Sequence, residues 1–205
     1  MLVAVSKTHP AERIREAFEV GQLDFGENKV QEGETKIEAL GSLRSAGLRF
    51  HLIGHLQSNK AKKAVGLFDV IHSVDSLDLA RKLAATAAEL GKVQEVLVQA
   101  DLAGEATKHG VSDGALLPAL EALRALPGLR VQGLMILPPF ADDPEQTRPY
   151  FRRLRELRDR AASEGLLAGS ELSMGMSHDF EVAIEEGATI VRVGTAIFGE
   201  RRVPA

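Results

Sequence analysis

Short runs of β-branched and apolar residues alternate along the whole chain with longer stretches in which apolar positions recur every three to four residues. LVAVS (2–6) is the first predicted strand, and AERIREAFEVG (11–21) is helical, with Ile14, Phe18 and Leu23 near one face. DFGEN (24–28) precedes the helix VQEGETKIEAL (30–40), RFHLIG (49–54) precedes SNKAKKAVGLF (58–68), and VIHSVD (70–75) precedes SLDLARKLAATAAELG (76–91). EVLVQADL (95–102) leads through a glycine-containing loop into DGALLPALEALRAL (113–126). VQGLMIL (131–137) is followed by a proline-rich turn and a long helix over 144–165. SELSM (170–174), the helix HDFEVAIEEG (178–187) and the strand TIVRVG (189–194) complete the series.

Eight strands alternating with seven helices imply right-handed crossovers and a parallel sheet. Eight units in 205 residues suit a closed (β/α)8 TIM-type barrel better than an open doubly wound sheet. No linker rich in Pro, Gly or Ser divides the chain, so residues 1–205 read as one domain.

A barrel of this kind places its chemistry at the C-terminal strand ends. The first strand delivers Lys7 directly after an apolar run, with no acidic neighbour in sequence. The second delivers Glu27 and Asn28, the third Gly54 and His55 with Gln57 and Asn59 beyond, and the fourth His72 and Asp75. The fifth gives Asp101, with Lys108 in the loop that follows. The last two strands end in SMGMS (173–177) and RVGTA (192–196), where Gly175 and Gly194 stand beside the hydroxyls of Ser177 and Thr195. Backbone N–H groups at such glycines approach an anion closely. Ser177 is expected to cap the helix beginning at His178, turning the positive end of that helix toward the same anion.

A phosphate beside a lysine at a barrel mouth points to pyridoxal phosphate held as a Schiff base, or to an aldolase-like enzyme with a phosphorylated substrate. The apolar surroundings of Lys7 favour the neutral amine that either chemistry needs. Arg192 is placed to reach a pyridine nitrogen, where a guanidinium donates only and disfavours a pyridinium; the bland alternative pairs it with Glu181 or Glu200.

Composition removes several other classes. A net charge of −4 leaves no excess of Lys and Arg for a nucleic acid, and RRLRELRDR (152–160) interleaves Glu156 and Asp159 as a solvated helix face does. The chain has no cysteine, which excludes disulfides and thiolate metal sites. No apolar run approaches the roughly 18 residues of a membrane span, and LVAV lacks the flanks of a signal peptide, so a cytoplasmic protein is expected. His51 and His55, four apart across a strand and a loop, do not converge on a metal as they would on a helix, and no metal site is expected. Met135, Met174 and Met176 read first as barrel packing.

The runs VAVSKTHP, FGENKVQE, HLIGHLQSNK, HSVDS, GLMILPP and LSMGMSHDFEVAIEEGATIVRVGTAIFGER resemble the pyridoxal phosphate homeostasis family, single-domain relatives of the alanine racemase barrel, over essentially the whole chain. The resemblance implies a fold-type III barrel in which Lys7 carries pyridoxal 5'-phosphate as an internal aldimine and Asn28 lines the site. It also implies that Ser173, Met174, Gly175 and Ser177 with Gly194 and Thr195 bind the phosphate, and that Arg192 lies at the ring nitrogen. Lys108 matches a family lysine near the mouth, and His55 and Asn59 stand as supporting residues.

It further implies a protein that binds, buffers or delivers the cofactor, with PLP-dependent apoenzymes as partners, and that catalyses little. The alternative is a PLP-dependent amino-acid racemase or lyase. A two-base racemase needs a group on each face of the substrate, and the one tyrosine, Tyr150, sits in a helical segment where packing is expected. The family is monomeric and carries a helix ahead of the first strand, whereas this chain begins at Met1 immediately before it. The seam between the eighth and first strands is therefore expected to lie uncovered, as an apolar groove through which the chain self-associates.

Overall fold

The computed structural model describes residues 1–104 and 109–200. Nine strands form one sheet: β1 (Leu2–Val5), β2 (Asp24–Glu27), β3 (Arg49–Leu52), β4 (Val70–Val74), β5 (Gln94–Asp101), β6 (Val111–Ser112), β7 (Leu129–Ile136), β8 (Glu171–Ser173) and β9 (Val191–Val193). The order is β8-β7-β5-β4-β3-β2-β1-β9, and the two-residue β6 pairs beside β5 outside that path. A parallel bridge from Ser173 to Ile190 joins β8 to the start of β9 and closes the ring. The eight principal strands are the expected eight, and the fold is the expected barrel.

Helices cover the outside: α1 (Ala11–Glu19), α2 (Val30–Ala39), α3 (Ala61–Leu67), α4 (Leu77–Glu89), α5 (Asp113–Arg124), α6 (Arg148–Ser163), α7 (Phe180–Glu185) and α8 (Thr195–Phe198). Their apolar faces follow the helical period. In α4 the buried positions include Leu79, Ala80, Leu83, Ala84 and Ala87, and the Ser76 hydroxyl caps its N-terminus by accepting from the Leu79 N–H. In α6 they are Phe151, Leu154, Leu157 and Ala161. No helix among the described residues is long and apolar enough to cross a membrane.

The eight principal strands are covered on both sides, so their alternation sorts residues between two cores. Ala4, Phe25, Phe50, Ile71, Val96, Leu134 and Leu172 join the large core between strands and helices. Val3, Val70, Leu97, Met135 and Ile190 form a second, smaller cluster that fills the lumen. The lumen thus carries its own apolar packing, beside which buried polar side chains also lie.

The seam differs from expectation. β1 pairs with β9 in the register Leu2↔Val191, Val3↔Arg192, Ala4↔Val193. Ala4 is fully buried and Val193 is 6% exposed. The one-turn α8, which the sequence pattern does not give, contributes Phe198 to the outer core, and the Phe198 ring meets His9 at a centroid distance of 5.2 Å. Exposed apolar surface at this edge is carried by rim residues such as Leu2, 39% exposed, and Ile197, so the open groove is not present at its expected size.

Candidate functional site

Lys7 follows β1 by two positions. Val3 points into the lumen and residues two apart share a face, so Lys7 lies on the lumen side where β1 emerges at the C-terminal rim. The backbone on either side of it is held by a buried ionic cluster. Lys36, from α2, donates from Nζ to the Ser6 carbonyl, to Glu27 Oε1 and to Glu32 Oε1, each at 2.7 Å. The Ser6 hydroxyl donates to the same Glu27 oxygen at 2.6 Å, and the Thr8 N–H donates to Glu32. One lysine and two glutamates therefore grip both neighbours of Lys7.

Thr8 needs that grip: its φ of 68° is left-handed, a region that a β-branched residue enters only when its surroundings hold it there. Burial raises Glu27 above the usual carboxylate range despite the opposing charge of Lys36. For Glu32 burial pushes upward, but the hydrogen bonds from Lys36 and Thr8 outweigh it and the net shift is downward.

Gly194, next to β9, lies beside Val5; a Cβ there would sit 3.2 Å from the Val5 carbonyl oxygen. The N–H groups of Gly194 and Ala196 converge on the Ser177 hydroxyl at 3.2 and 3.4 Å. Gly175 has φ +89°, and a Cβ on it would be 2.6 Å from that of Ala183, so glycine alone fits this turn. The loops after β8 and β9 thus meet beside the end of β1, with backbone N–H groups and a hydroxyl turned to one place and Thr195 exposed next to it.

Two readings are corrected here, the helix cap at Ser177 and the pairing of Arg192 with a glutamate. Ser177 does not cap the following helix: α7 starts at Phe180, the Asp179 carboxylate takes the Met176 N–H at 2.7 Å, and Ser177 turns to Gly194 instead. Within the SMGMS run the side chains take different faces. Ser173 is fully buried in the lumen and Met174 packs in the outer core, because the alternation of β8 continues through them; Gly175 to Ser177 form the turn. Arg192, in turn, does not reach Glu181 or Glu200 among its hydrogen bonds. It donates from Nη1 to Ser173 Oγ at 2.6 Å and from Nη2 to the Ile136 carbonyl at 2.8 Å. Burial lowers its guanidinium to about 10, with the charge of Asp179 opposing, which still leaves a cation at neutral pH.

Asn28 is half-buried at the end of β2 and lines a recess of about 260 Å³ with His55, Gln57 and Lys60. Asn59 is exposed on a 3-10 turn at Ser58–Lys60. His55 stacks on His109 with ring centroids 3.6 Å apart and planes 8° from parallel, and its Nδ1 meets Asp75 at 3.1 Å. Ligand atoms of His55, Asp75 and His109 lie within 4.8 Å of one another, a grouping the sequence spacing did not suggest. Parallel rings point their lone pairs side by side and not at one centre, so the stack as it stands is a shared-carboxylate pair. Lys108 lies outside the described residues. Tyr150 packs against the outer core from α6. A larger recess of about 780 Å³ lies between α5 and α6, lined by Asp113, Pro118, Glu121, Arg153 and Arg160, and includes neither Lys7 nor Ser177.

Lys36 and Glu32 are the residues that sequence reasoning passed over, and His51 and His72 were named without their link through the lumen. The Glu32–Lys36 spacing of four on a helix was a visible signal, but it reads as a solvated pair until burial is known.

Known proteins bear on this arrangement directly. The alanine racemase N-terminal domain model matches residues 1–202. The pyridoxal phosphate homeostasis protein of Aquifex aeolicus is 50% identical over 201 residues, covering 98% of this chain and 87% of that protein. The structure of PipY from Synechococcus elongatus with PLP bound superposes with a TM-score of 0.88 at 42% identity, covering 97% of this chain and 92% of that one. An alanine racemase from Clostridium difficile, 20% identical with a TM-score of 0.76, spans all of this chain and 55% of its own, and shows the shared fold alone. From identity at this level over nearly its full length, the chain belongs to the pyridoxal phosphate homeostasis protein family, built on the barrel of the alanine racemase N-terminal domain.

Proposed function

We propose that this protein binds pyridoxal 5'-phosphate reversibly at the C-terminal mouth of its barrel, with Lys7 as the covalent attachment point, and acts in cytoplasmic cofactor homeostasis. The observation that carries this reading is the meeting of three elements at one rim: the lysine after β1, the Gly175–Ser177 turn after β8 and the Gly194–Thr195 turn after β9. When bound, the cofactor supplies an aldehyde for the Lys7 amine, a phosphate and a pyridine ring.

The residues present fit such a group. The Gly194 and Ala196 N–H groups, now satisfied by the Ser177 hydroxyl, are donors suited to phosphate oxygens, and the missing Cβ atoms at positions 175 and 194 leave the turns close-packed. Arg192, held in the lumen below, offers only donors, which suits an unprotonated ring nitrogen. Asn28 lines the neighbouring recess. The names of the relatives support cofactor binding and homeostasis; the proposed recipients are PLP-dependent apoenzymes.

Little catalysis is part of the proposal. A donor-only partner leaves the ring a weak electron sink, and Tyr150, on the outer helical layer, is out of place for a second base. Mixing the purified protein with the cofactor, desalting and recording the visible spectrum tests the reading. A retained absorbance band that borohydride abolishes is expected; a colourless protein, or brisk racemisation of amino acids by the loaded one, overturns it.

A further inference from the structure

A continuous line of polar side chains crosses the lumen of this barrel beside its apolar cluster. It starts at Arg192 on β9, passes through Ser173 on β8, crosses the lumen to His72 on β4, and continues through His51 on β3 to Asp24 on β2. The steps are Arg192 Nη1 to Ser173 Oγ at 2.6 Å, Ser173 Oγ to His72 Nδ1 at 2.9 Å, His72 Nε2 to His51 Nδ1 at 2.9 Å and His51 Nε2 to Asp24 Oδ1 at 2.9 Å. Arg192, Ser173, His72 and His51 are all buried, and Asp24 alone reaches the rim at the start of β2.

Elementary hydrogen-bond chemistry gives this line a direction. A guanidinium only donates and a carboxylate only accepts, so the two ends are fixed. Ser173 accepts from Arg192 and passes its own proton to His72 Nδ1. His72 then carries its hydrogen on Nε2 and gives it to His51 Nδ1, and His51 gives its Nε2 hydrogen to Asp24. Every donor meets an acceptor with both imidazoles uncharged. An extra proton on His51 Nδ1 would force His72 into its other tautomer and strand the Ser173 hydroxyl hydrogen in a buried place, which is unfavourable. Burial above all holds His72 well below the ordinary histidine range, in keeping with a neutral ring.

We infer that Asp24, His51, His72 and Ser173 form a one-way hydrogen-bond chain that fixes the plane of the Arg192 guanidinium, which makes them positioning residues for the ring nitrogen of the bound cofactor. The inference rests on the reading of Arg192 under the proposed function. With Nη1 tied to Ser173 and Nη2 to the Ile136 carbonyl, the guanidinium has no freedom to rotate, and its remaining N–H groups keep one aim. A buried polar line is favourable only when all its members are satisfied. Loss of one member therefore propagates along it. A merely structural line would hold β2, β3, β4, β8 and β9 in register and leave the cofactor indifferent.

Three measurements on the full chain separate these roles. In the cofactor-free protein, nitrogen NMR of labelled histidine should show His51 and His72 both as Nε2–H tautomers at pH 7.5; a doubly protonated His51 or an Nδ1–H His72 overturns the chain without any variant. With cofactor labelled at its ring nitrogen, His72→Leu should move that signal toward the protonated position and speed cofactor release about fivefold, the effect of one lost hydrogen bond. His72→Asn, whose oxygen replaces the acceptor for Ser173, should restore both. A parent protein that takes up no cofactor defeats the underlying reading. A parent that takes it up, beside a folded His72→Leu with an unchanged ring-nitrogen signal, defeats the chain alone.

Discussion

Lys36→Met tests the clamp around Lys7 most sharply. The Lys36 ammonium makes three hydrogen bonds, to Glu27, Glu32 and the Ser6 carbonyl, and its side chain is 7% exposed while that of Glu27 is fully buried. Methionine keeps the length and removes the charge, so the variant leaves a buried carboxylate without its cation. Breaking a buried pair from one side destabilises by about 3–5 kcal/mol. Glu27 already sits above the usual carboxylate range with Lys36 present, and without it the rise must be greater.

A carboxyl whose folded pKa exceeds its unfolded one contributes stability below the unfolded value and loses it as pH rises through the folded value. The penalty in Lys36→Met should thus be full at pH 7.5 and shrink toward pH 5, by at most about 1.4 kcal/mol per pH unit for one proton. Urea unfolding followed by circular dichroism at pH 5, 6 and 7.5 measures this in both proteins. Glu27→Gln, which retains an acceptor for Ser6 and leaves Lys36 with Glu32, should lose far less at pH 7.5. A Lys36→Met penalty below about 1 kcal/mol at pH 7.5, or one that does not vary with pH, would refute the reasoning.

Gly54→Ala should destabilise by about 1–3 kcal/mol in the same unfolding assay, because its Cβ would lie 2.3 Å from the Asn28 carbonyl oxygen and would push the end of β2 aside. Ser177→Ala and Thr195→Ala should each weaken cofactor retention by about 1 kcal/mol, read as roughly fivefold faster release in spectrophotometric washout; unchanged release would remove these hydroxyls from the phosphate site. Arg192→Glu places an acceptor at the ring nitrogen and should awaken slow racemisation or transamination, measured with enantiopure alanine beside a circular-dichroism check of folding.

The barrel was legible because its strands carry period-two or continuous apolar runs and its helices do not, as LVAV against ERIREAFE illustrates. Lys7 and the two glycine-hydroxyl turns were legible as residue types placed at strand ends. What escaped was direction. Ser173, His51 and His72 belong to strands whose inner and outer faces are both buried, so alternation alone could not say which face each took. Once Val3 and Ala4 are known to part between lumen and outer core, the same alternation assigns them all. Lys36 escaped because a Glu–Lys pair spaced by four on a helix reads as surface until the strand beneath it is seen to carry Glu27. The short α8 is below the length at which a helical period can be read, and the exposure expected at the seam was overestimated because Phe198 was not counted.

The central claim is that Lys7 is the covalent attachment point. The most direct measurement is borohydride reduction of the protein mixed with pyridoxal phosphate, followed by proteolysis and mass-spectrometric mapping of the modified lysine, alongside Lys7→Ala. The account predicts one dominant adduct on Lys7 and its loss, together with the visible band, in Lys7→Ala. A dominant adduct on Lys108 or another lysine in the unmutated protein, or an undiminished band in Lys7→Ala, would contradict it.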